Sequence, residues 1–341
     1  MSSTDADIIW FATHFQLFEE LRRKSLLITG VSGQIGSAMA RCLSALSDEH
    51  GLGLTIYGQT RNAEAARRFS RLPEDVILLE SPLERIAGSL SSDSLDAVIH
   101  LAAPTASLFF VNHPVETVSS IVDGTRSVLE FARSNKEMKV LYVSSMEVYG
   151  SVPDHLQPVD EHSLGSLDIA NPRNSYPLAK RLAEHLCLCY GKEYGLSVRI
   201  ARPCQTFGAG LSSSDQRVYA QIARSVRSGA PVVLNTPGNQ SHCFCDTTDM
   251  VSGLLYVLFR GKDQGVYNIA NPDTYCSIRQ MAEQVCSYFD TGSEVRIELD
   301  STKGYPSATK LLLDTRKIRA LGWKPRKGLM EMYNSLLDSI C

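Results

Sequence analysis

Short apolar runs alternate with longer stretches of helical period over the first two hundred residues. Ser25-Leu26-Leu27-Ile28-Thr29 predicts a strand, a glycine-rich turn follows, and Ser37–Leu46 predicts a helix. Further strands are predicted at Leu54-Thr55-Ile56-Tyr57, Val76-Ile77-Leu78-Leu79, Ala97-Val98-Ile99-His100, Lys139-Val140-Leu141-Tyr142-Val143 and Ser197-Val198-Arg199-Ile200. Helices over Asn62–Ser70, Val118–Ser134 and Tyr176–Tyr194 lie among them. Strands that alternate with helices require crossover connections, so the expected fold class is α/β with a doubly wound parallel sheet. Past residue 204 the alternation loosens, with helices near 215–228, 247–260 and 277–289 among many Gly and Pro breaks. The expected division is therefore a body over 25–203 and a smaller C-terminal α/β lobe over 204–341. Before them, residues 1–24 carry Phe11, Phe15 and Phe18 on one helical face, with Leu21 beyond. That face predicts an extra helix packed on the body or on a partner subunit. Asp5 and Asp7 precede its apolar residues, where a signal peptide would carry basic ones.

Charge and composition remove several classes of function. Among 341 residues, 34 Lys and Arg face 37 Asp and Glu, a net charge of −3. Without a basic excess the chain cannot gain affinity by releasing phosphate counterions, so no nucleic-acid partner is expected. Mean hydropathy is −0.09 and no apolar run reaches membrane-spanning length, so no membrane partner is expected either. The nine cysteines are scattered. Their close pairs, Cys187/Cys189 and Cys243/Cys245, lack the two-residue gap of zinc or redox motifs. Free thiols in a reducing cytoplasmic compartment, and no metal, are the expectation.

Three segments carry chemistry. In Thr29-Gly30-Val31-Ser32-Gly33-Gln34-Ile35-Gly36 the glycines lie between a strand and a helix. There a backbone can approach a pyrophosphate and the helix N-terminus offers free N–H groups. This places dinucleotide binding in 25–203. The second strand ends in Tyr57-Gly58-Gln59-Thr60-Arg61-Asn62, with no carboxylate before Glu64 to hold a ribose 2′-OH. Arg61 is either a 2′-phosphate contact or a solvated arginine, which tips NAD(P) toward NADP. Tyr176 and Lys180, four apart, share a helix face, and a nearby ammonium favours phenolate. Ser144-Ser145-Met146-Glu147 follows the strand ending at Val143, which puts Ser145 at the sheet's C-terminal edge, where a hydroxyl can share a proton with a base.

These residues resemble the extended short-chain dehydrogenase/reductases of the NAD-dependent epimerase/dehydratase family, which have a Rossmann fold. The resemblance runs over about residues 25–335. It includes His100-Leu101-Ala102-Ala103, Gly124-Thr125, Tyr267-Asn268-Ile269-Ala270-Asn271 and Leu321-Gly322-Trp323-Lys324-Pro325. Pro172-Arg173-Asn174-Ser175-Tyr176 and Asp215-Gln216-Arg217-Val218 look most like UDP-glucuronate decarboxylases. The resemblance implies a tightly bound NAD(P), a nucleotide-sugar substrate oxidised at C4, and a homodimer built on helices 118–134 and 176–194. It implies Ser145, Glu147, Tyr176 and Lys180 as catalytic residues. It also implies Gly30, Ser32, Gly33, Gln34, Ile35, Gly36, Arg61, Asn62, Leu101, Ala102 and Ala103 around the cofactor, together with Tyr176 and Lys180. Arg173, Gln205, Arg217 and His242 would meet substrate. Met146 stands where 4,6-dehydratases acting on thymidine-diphosphoglucose carry an acid. Dehydration, 4-epimerisation and keto-sugar reduction remain open, as does a non-catalytic dinucleotide-binding protein. The chain departs from the pattern at Ile121 and Gln205, both Asn in the subgroup, and at His242, an Arg there.

Overall fold

Val, Ile and Leu runs that are apolar on both faces form buried parallel strands, and the longer periodic segments cover them. The computed structural model describes residues 3–211, 215–300 and 309–340. Its main sheet contains β1 (Ser25–Thr29), β2 (Thr55–Thr60), β3 (Ile77–Glu80), β4 (Ala97–His100), β5 (Lys139–Val143) and β6 (Ser197–Pro203). The strands lie in the order β3-β2-β1-β4-β5-β6, all parallel. The order reverses between β1 and β4, so a crevice opens at the carboxyl ends of those two strands.

Four helices shape that crevice: α2 (Gln34–His50), α4 (Ser107–Asn112), α5 (Pro114–Ala132) and α6 (Ser175–Tyr194), with α1 (Ser3–His14) and α3 (Ala63–Ser70) outside. α2 stops at Gly51, whose φ of 57° ends the helix in the left-handed conformation that glycine takes without strain. α5 and α6 pack side by side, and between them and the sheet lies a core that includes Leu129, Tyr142, Ala183 and Ile200.

The second part of the chain returns to the first. Strands β7 (Gln205–Phe207), β8 (Val232–Leu234) and β9 (Ser241–Asp246) and helices α7 (Val218–Ser228) and α8 (Thr247–Arg260) follow β6. Then β10 (Val266–Ile269) joins the main sheet beside β6. A boundary at 203/204 is thus recrossed, because α8 covers β5 and β6 and carries the chain back to that edge. The lobe proper is a small sheet of β7, β9, β11 (Asn271–Ser277) and β13 (Lys310–Leu311), plus the pair β8 and β12 (Val295–Ile297). Its core of Phe207, Tyr219, Phe244, Met281, Met332 and Tyr333 lies under α7, α9 (Ile278–Phe289) and α11 (Leu329–Ser339), with the short α10 (Arg316–Arg319) beside β10.

The N-terminal segment is shorter as a helix than its aromatic spacing suggests. α1 ends at His14, Phe11 stacks on Phe15 at 4.9 Å, and Phe18 lies in a separate turn against His50 at 4.0 Å. α1 docks on α2, α8 and α11, and Asp7 ion-pairs with Arg326 and Lys327.

Candidate functional site

Two backbone positions in the turn after β1 exclude side chains and a third crowds one. Gly30 has φ 66°, and a Cβ there would lie 2.8 Å from Ala102 Cα. A Cβ on Gly36 would collide with the Gly30 carbonyl, and one on Gly33 would stand 3.3 Å from the same oxygen. Gly33 begins α2 without a side-chain cap, so the first N–H groups of α2 keep no internal partner. Ser32, Gln34 and Ile35 complete the turn. The Thr29 hydroxyl fixes the facing segment: it accepts the N–H of Leu101 at 3.1 Å and of Ala102 at 3.2 Å, and contacts His100 Nδ1 at 2.7 Å. His100 Nε2 reaches Thr125 Oγ1 at 3.2 Å, and burial together with the Lys180 charge pulls its pKa down to about 3. Ala103 follows at the crevice wall. This is the shape a dinucleotide pyrophosphate requires, so the residues fit NAD(P).

At the end of β2, Gln59 uses both ends of its amide, donating to the Ser81 carbonyl at 2.6 Å and accepting the Gly30 N–H at 3.2 Å. Arg61 and Asn62 are exposed. The Asn62 side chain caps α3 by accepting the Ala65 N–H at 2.8 Å. Arg61 has no ion-pair partner among the described residues.

Ser145, Glu147, Tyr176 and Lys180 come together above β5. Ser145 is in extended conformation and caps a single turn, Met146–Tyr149, by accepting the Glu147 N–H at 3.2 Å. Met146 points into the core. Tyr176 is buried in the first turn of α6. Burial foremost, then the Glu147 charge, hold its hydroxyl well above the usual tyrosine range, while a hydrogen bond with Ser145 draws it down. One turn on, the Lys180 ammonium donates to the Val143 carbonyl at 2.8 Å and lies 4.9 Å from the Tyr142 ring centre and 5.9 Å from that of Tyr176. Burial brings Lys180 down to about 8 against the opposing charge of Glu184. Its ammonium bears on the phenol's face. Glu147 is open to the crevice but crowded by protein on its other sides. The crowding raises its carboxyl pKa and the Arg173 charge opposes that rise.

The residues expected around substrate divide into two sets. Arg173 sits in the turn Pro172–Asn174, with its field on Glu147. Gln205, Arg217 and His242 belong to the lobe. Arg217 pairs with Asp215 and donates to Gln34 Oε1 at 2.6 Å, while Gln34 Nε2 donates to the Thr206 carbonyl at 3.1 Å. Gln34 therefore joins the glycine turn to the lobe. On the ledge of β7 and β9, Gln205 pairs with Phe244, and the His242 ring lies 4.8 Å from that of Phe244. Gln205 Oε1 and His242 Nε2 are both buried without a hydrogen-bond partner among the described residues. Burial pulls His242 down to about 4, so it carries no charge at neutral pH.

A buried network beneath the site escaped the motif reading. Arg202 grips Glu184 with two bonds of 2.9 and 2.7 Å, and donates to the Tyr149 hydroxyl at 3.1 Å and the Glu161 carbonyl at 2.8 Å. Tyr149 donates to Asn268 Oδ1 at 2.6 Å. The turn that presents Ser145 and Glu147 is thereby tied to α6 and β10. Asn268 lay within a recognisable segment, but only the fold shows that it lies beside Arg202. Removing one partner of so buried a pair would cost about 3–5 kcal/mol.

The sequence profile of the NAD dependent epimerase/dehydratase family matches residues 26–270. UDP-glucuronic acid decarboxylase 3 of Arabidopsis thaliana is 32% identical over 237 residues, which cover 70% of this chain and 67% of that protein. UDP-glucuronic acid decarboxylase 1 of Xenopus tropicalis is 29% identical over 94% of this chain and 73% of its own. Among solved structures, RMD from Pseudomonas aeruginosa complexed with NADPH has a TM-score of 0.71 at 26% identity, covering 93% of this chain and 99% of that one. UDP-glucuronic acid 4-epimerase from Bacillus cereus, in complex with UDP-glucuronic acid and NAD, shares the fold with a TM-score of 0.72 at 20% identity. That match covers 93% of this chain and 98% of the other.

Proposed function

Because this chain belongs to the NAD dependent epimerase/dehydratase family, we propose that its nucleotide-sugar reaction starts by oxidising C4 and proceeds most closely as in a UDP-glucuronate decarboxylase. The observation that carries this reading is the meeting of Ser145, Glu147, Tyr176 and Lys180 above β5, with Ser145 and Glu147 on one turn and both bearing on the Tyr176 hydroxyl. A bound nicotinamide supplies the acceptor, and later the donor, of hydride. Tyr176 takes the proton of the sugar 4-OH, and Ser145 holds that proton's path by hydrogen bonds to both hydroxyls. Lys180 fixes the ribose side of the cofactor. The 4-keto group turns a 5-carboxylate into a β-keto acid, which loses carbon dioxide, and Glu147 orients the ring and manages the proton at C5. Gly30 to Gly36, Leu101, Ala102 and Ala103 would hold the dinucleotide, and the exposed Arg61 favours NADP. Arg173, Arg217 and Gln205 face the diphosphate and sugar.

Mass changes in a panel of nucleotide sugars separate the reactions. Loss of carbon dioxide is expected from a uronate. Loss of water, no mass change, or a gain of two hydrogens would instead mean dehydratase, epimerase or ketoreductase. Glu147→Gln should slow carbon dioxide release while hydride transfer stays measurable near 340 nm. An unchanged rate with UDP-glucose-type substrates, and none with any uronate, would move the enzyme to the epimerases.

The protein is further read as a cytoplasmic homodimer through α5 and α6. Exposed Val115 and Val118 on α5 and Leu182 on α6 support that reading, and no described helix is long and apolar enough to cross a membrane. Light scattering at micromolar concentration should give twice the chain mass.

A further inference from the structure

Phe110 belongs to α4, a six-residue helix that no motif announced. Its ring lies face to face with that of Tyr176, centres 4.4 Å apart and planes 10° from parallel. Both side chains are buried, Phe110 at 1% exposure. The same helix packs on the turn Pro172–Asn174, which carries Arg173 and leads into Tyr176. A flat ring against another restricts rotation about the phenol's second side-chain torsion, and two stacked buried rings leave no layer of water between them.

We propose that Phe110 is a positioning residue for Tyr176: its stacked ring fixes the plane in which the hydroxyl meets Ser145 and seals that face from water. The inference rests on reading Tyr176 as the base. It assigns α4 a part in catalysis without placing Phe110 against any reacting atom. The sealing also acts on acidity, because burial is the foremost influence holding the Tyr176 hydroxyl up. The other groups that face Tyr176 are Glu147 and Ser145 from the turn after β5, Lys180 on α6 itself, and Tyr142 on β5. None of them lies on α4, so a change at position 110 leaves every charge in place.

The test compares Phe110→Leu, which keeps an apolar filling but loses the ring, with Phe110→Tyr, which restores it. Phe110→Leu should lower kcat about 10- to 100-fold, the scale of a small misplacement of a reacting group. KM for the nucleotide sugar should hardly move. Water admitted to the phenol stabilises phenolate, so the acid limb of kcat should shift to lower pH. Ultraviolet titration of the purified protein, with Tyr176→Phe subtracted, should show the same downward shift without turnover. Phe110→Tyr should behave as the parent in all three. A Phe110→Leu protein with a lower melting temperature but the parent kcat, acid limb and titration would reduce Phe110 to packing and overturn the proposal. Equal loss in Phe110→Leu and Phe110→Tyr would overturn it too. Tyr176→Phe at full rate would instead defeat the reading of Tyr176 as base.

Discussion

The glycine turn and the β7–β9 ledge face each other across one crevice, yet they are built on opposite terms. In the turn the fold works by forbidding side chains, because Gly30 and Gly36 stand where any Cβ meets backbone. The polar groups behind it are paired among themselves, Thr29 with His100 and the 101–102 amides, Gln59 with Ser81 and Gly30. On the ledge the side chains themselves present the chemistry, and Gln205 Oε1 and His242 Nε2 are buried with no hydrogen-bond partner among the described residues. A steric site admits almost no substitution, whereas a site of individual side chains can change one contact at a time. It is on the ledge that Gln205 and His242 depart from the decarboxylase-like pattern. Gln34 joins the two regions, donating from Nε2 to the Thr206 carbonyl of β7 at 3.1 Å and accepting from Arg217 at 2.6 Å.

The sharpest way to break this contrast is Gly36→Ala. One methyl group must displace the Gly30 carbonyl or the Val31 backbone, a strain on the order of 3 kcal/mol or more. Dinucleotide binding, followed by calorimetry, should be lost. Retained binding would show that the turn yields, and the steric account would fail. The strand end beside it is a milder case. If Arg61 meets a 2′-phosphate, Arg61→Ala should weaken NADP relative to NAD by about 1.5–3 kcal/mol, the worth of a charged hydrogen bond. Equal losses for both dinucleotides would remove Arg61 from cofactor choice.

How far the sequence could be read follows the same division. β1, β4 and β5 lie where the apolar runs end, because a strand buried on both faces writes its limits directly into the chain. The Ser145/Tyr176/Lys180 set was legible from local spacing, since i and i+4 on a helix and the end of a strand are local facts. β7, β9, β11 and β13 were not legible. They are short, β13 has only two residues, and strand pairing there is decided by partners far along the chain. Phe110 was invisible because α4 is too short to show a period, and its value comes from Tyr176, 66 positions later. The Arg202–Glu184–Tyr149–Asn268 network was missed because polar residues in strands and helices look solvated until the fold buries them.

The smallest effect bears on whether the ledge is uncharged. Burial holds His242 at about 4, among Phe244, Cys276 of β11 and Leu311 of β13, whereas an unfolded histidine titrates near ~6.5. Between those values the unfolded chain binds a proton that the folded chain refuses. Stability is therefore lost as pH falls through this window, by at most about 1.4 kcal/mol per pH unit for one proton. His100, held at about 3 by burial and Lys180, adds a loss of the same sign. Asp249 opposes them: burial and Asp246 raise it to about 6, so the folded chain takes up its proton first on acidification. His242→Gln keeps a polar side chain without the titration. Urea midpoints between pH 6 and pH 4 should then fall less steeply in the variant than in the parent, by roughly the slope of one proton. His100 and Asp249 are unchanged, so their contributions cancel in the comparison. Parallel pH profiles would mean that folded His242 takes a proton as readily as the unfolded chain. The ledge would then offer the diphosphate a cation after all, and the contrast with the glycine turn would lose its electrostatic half.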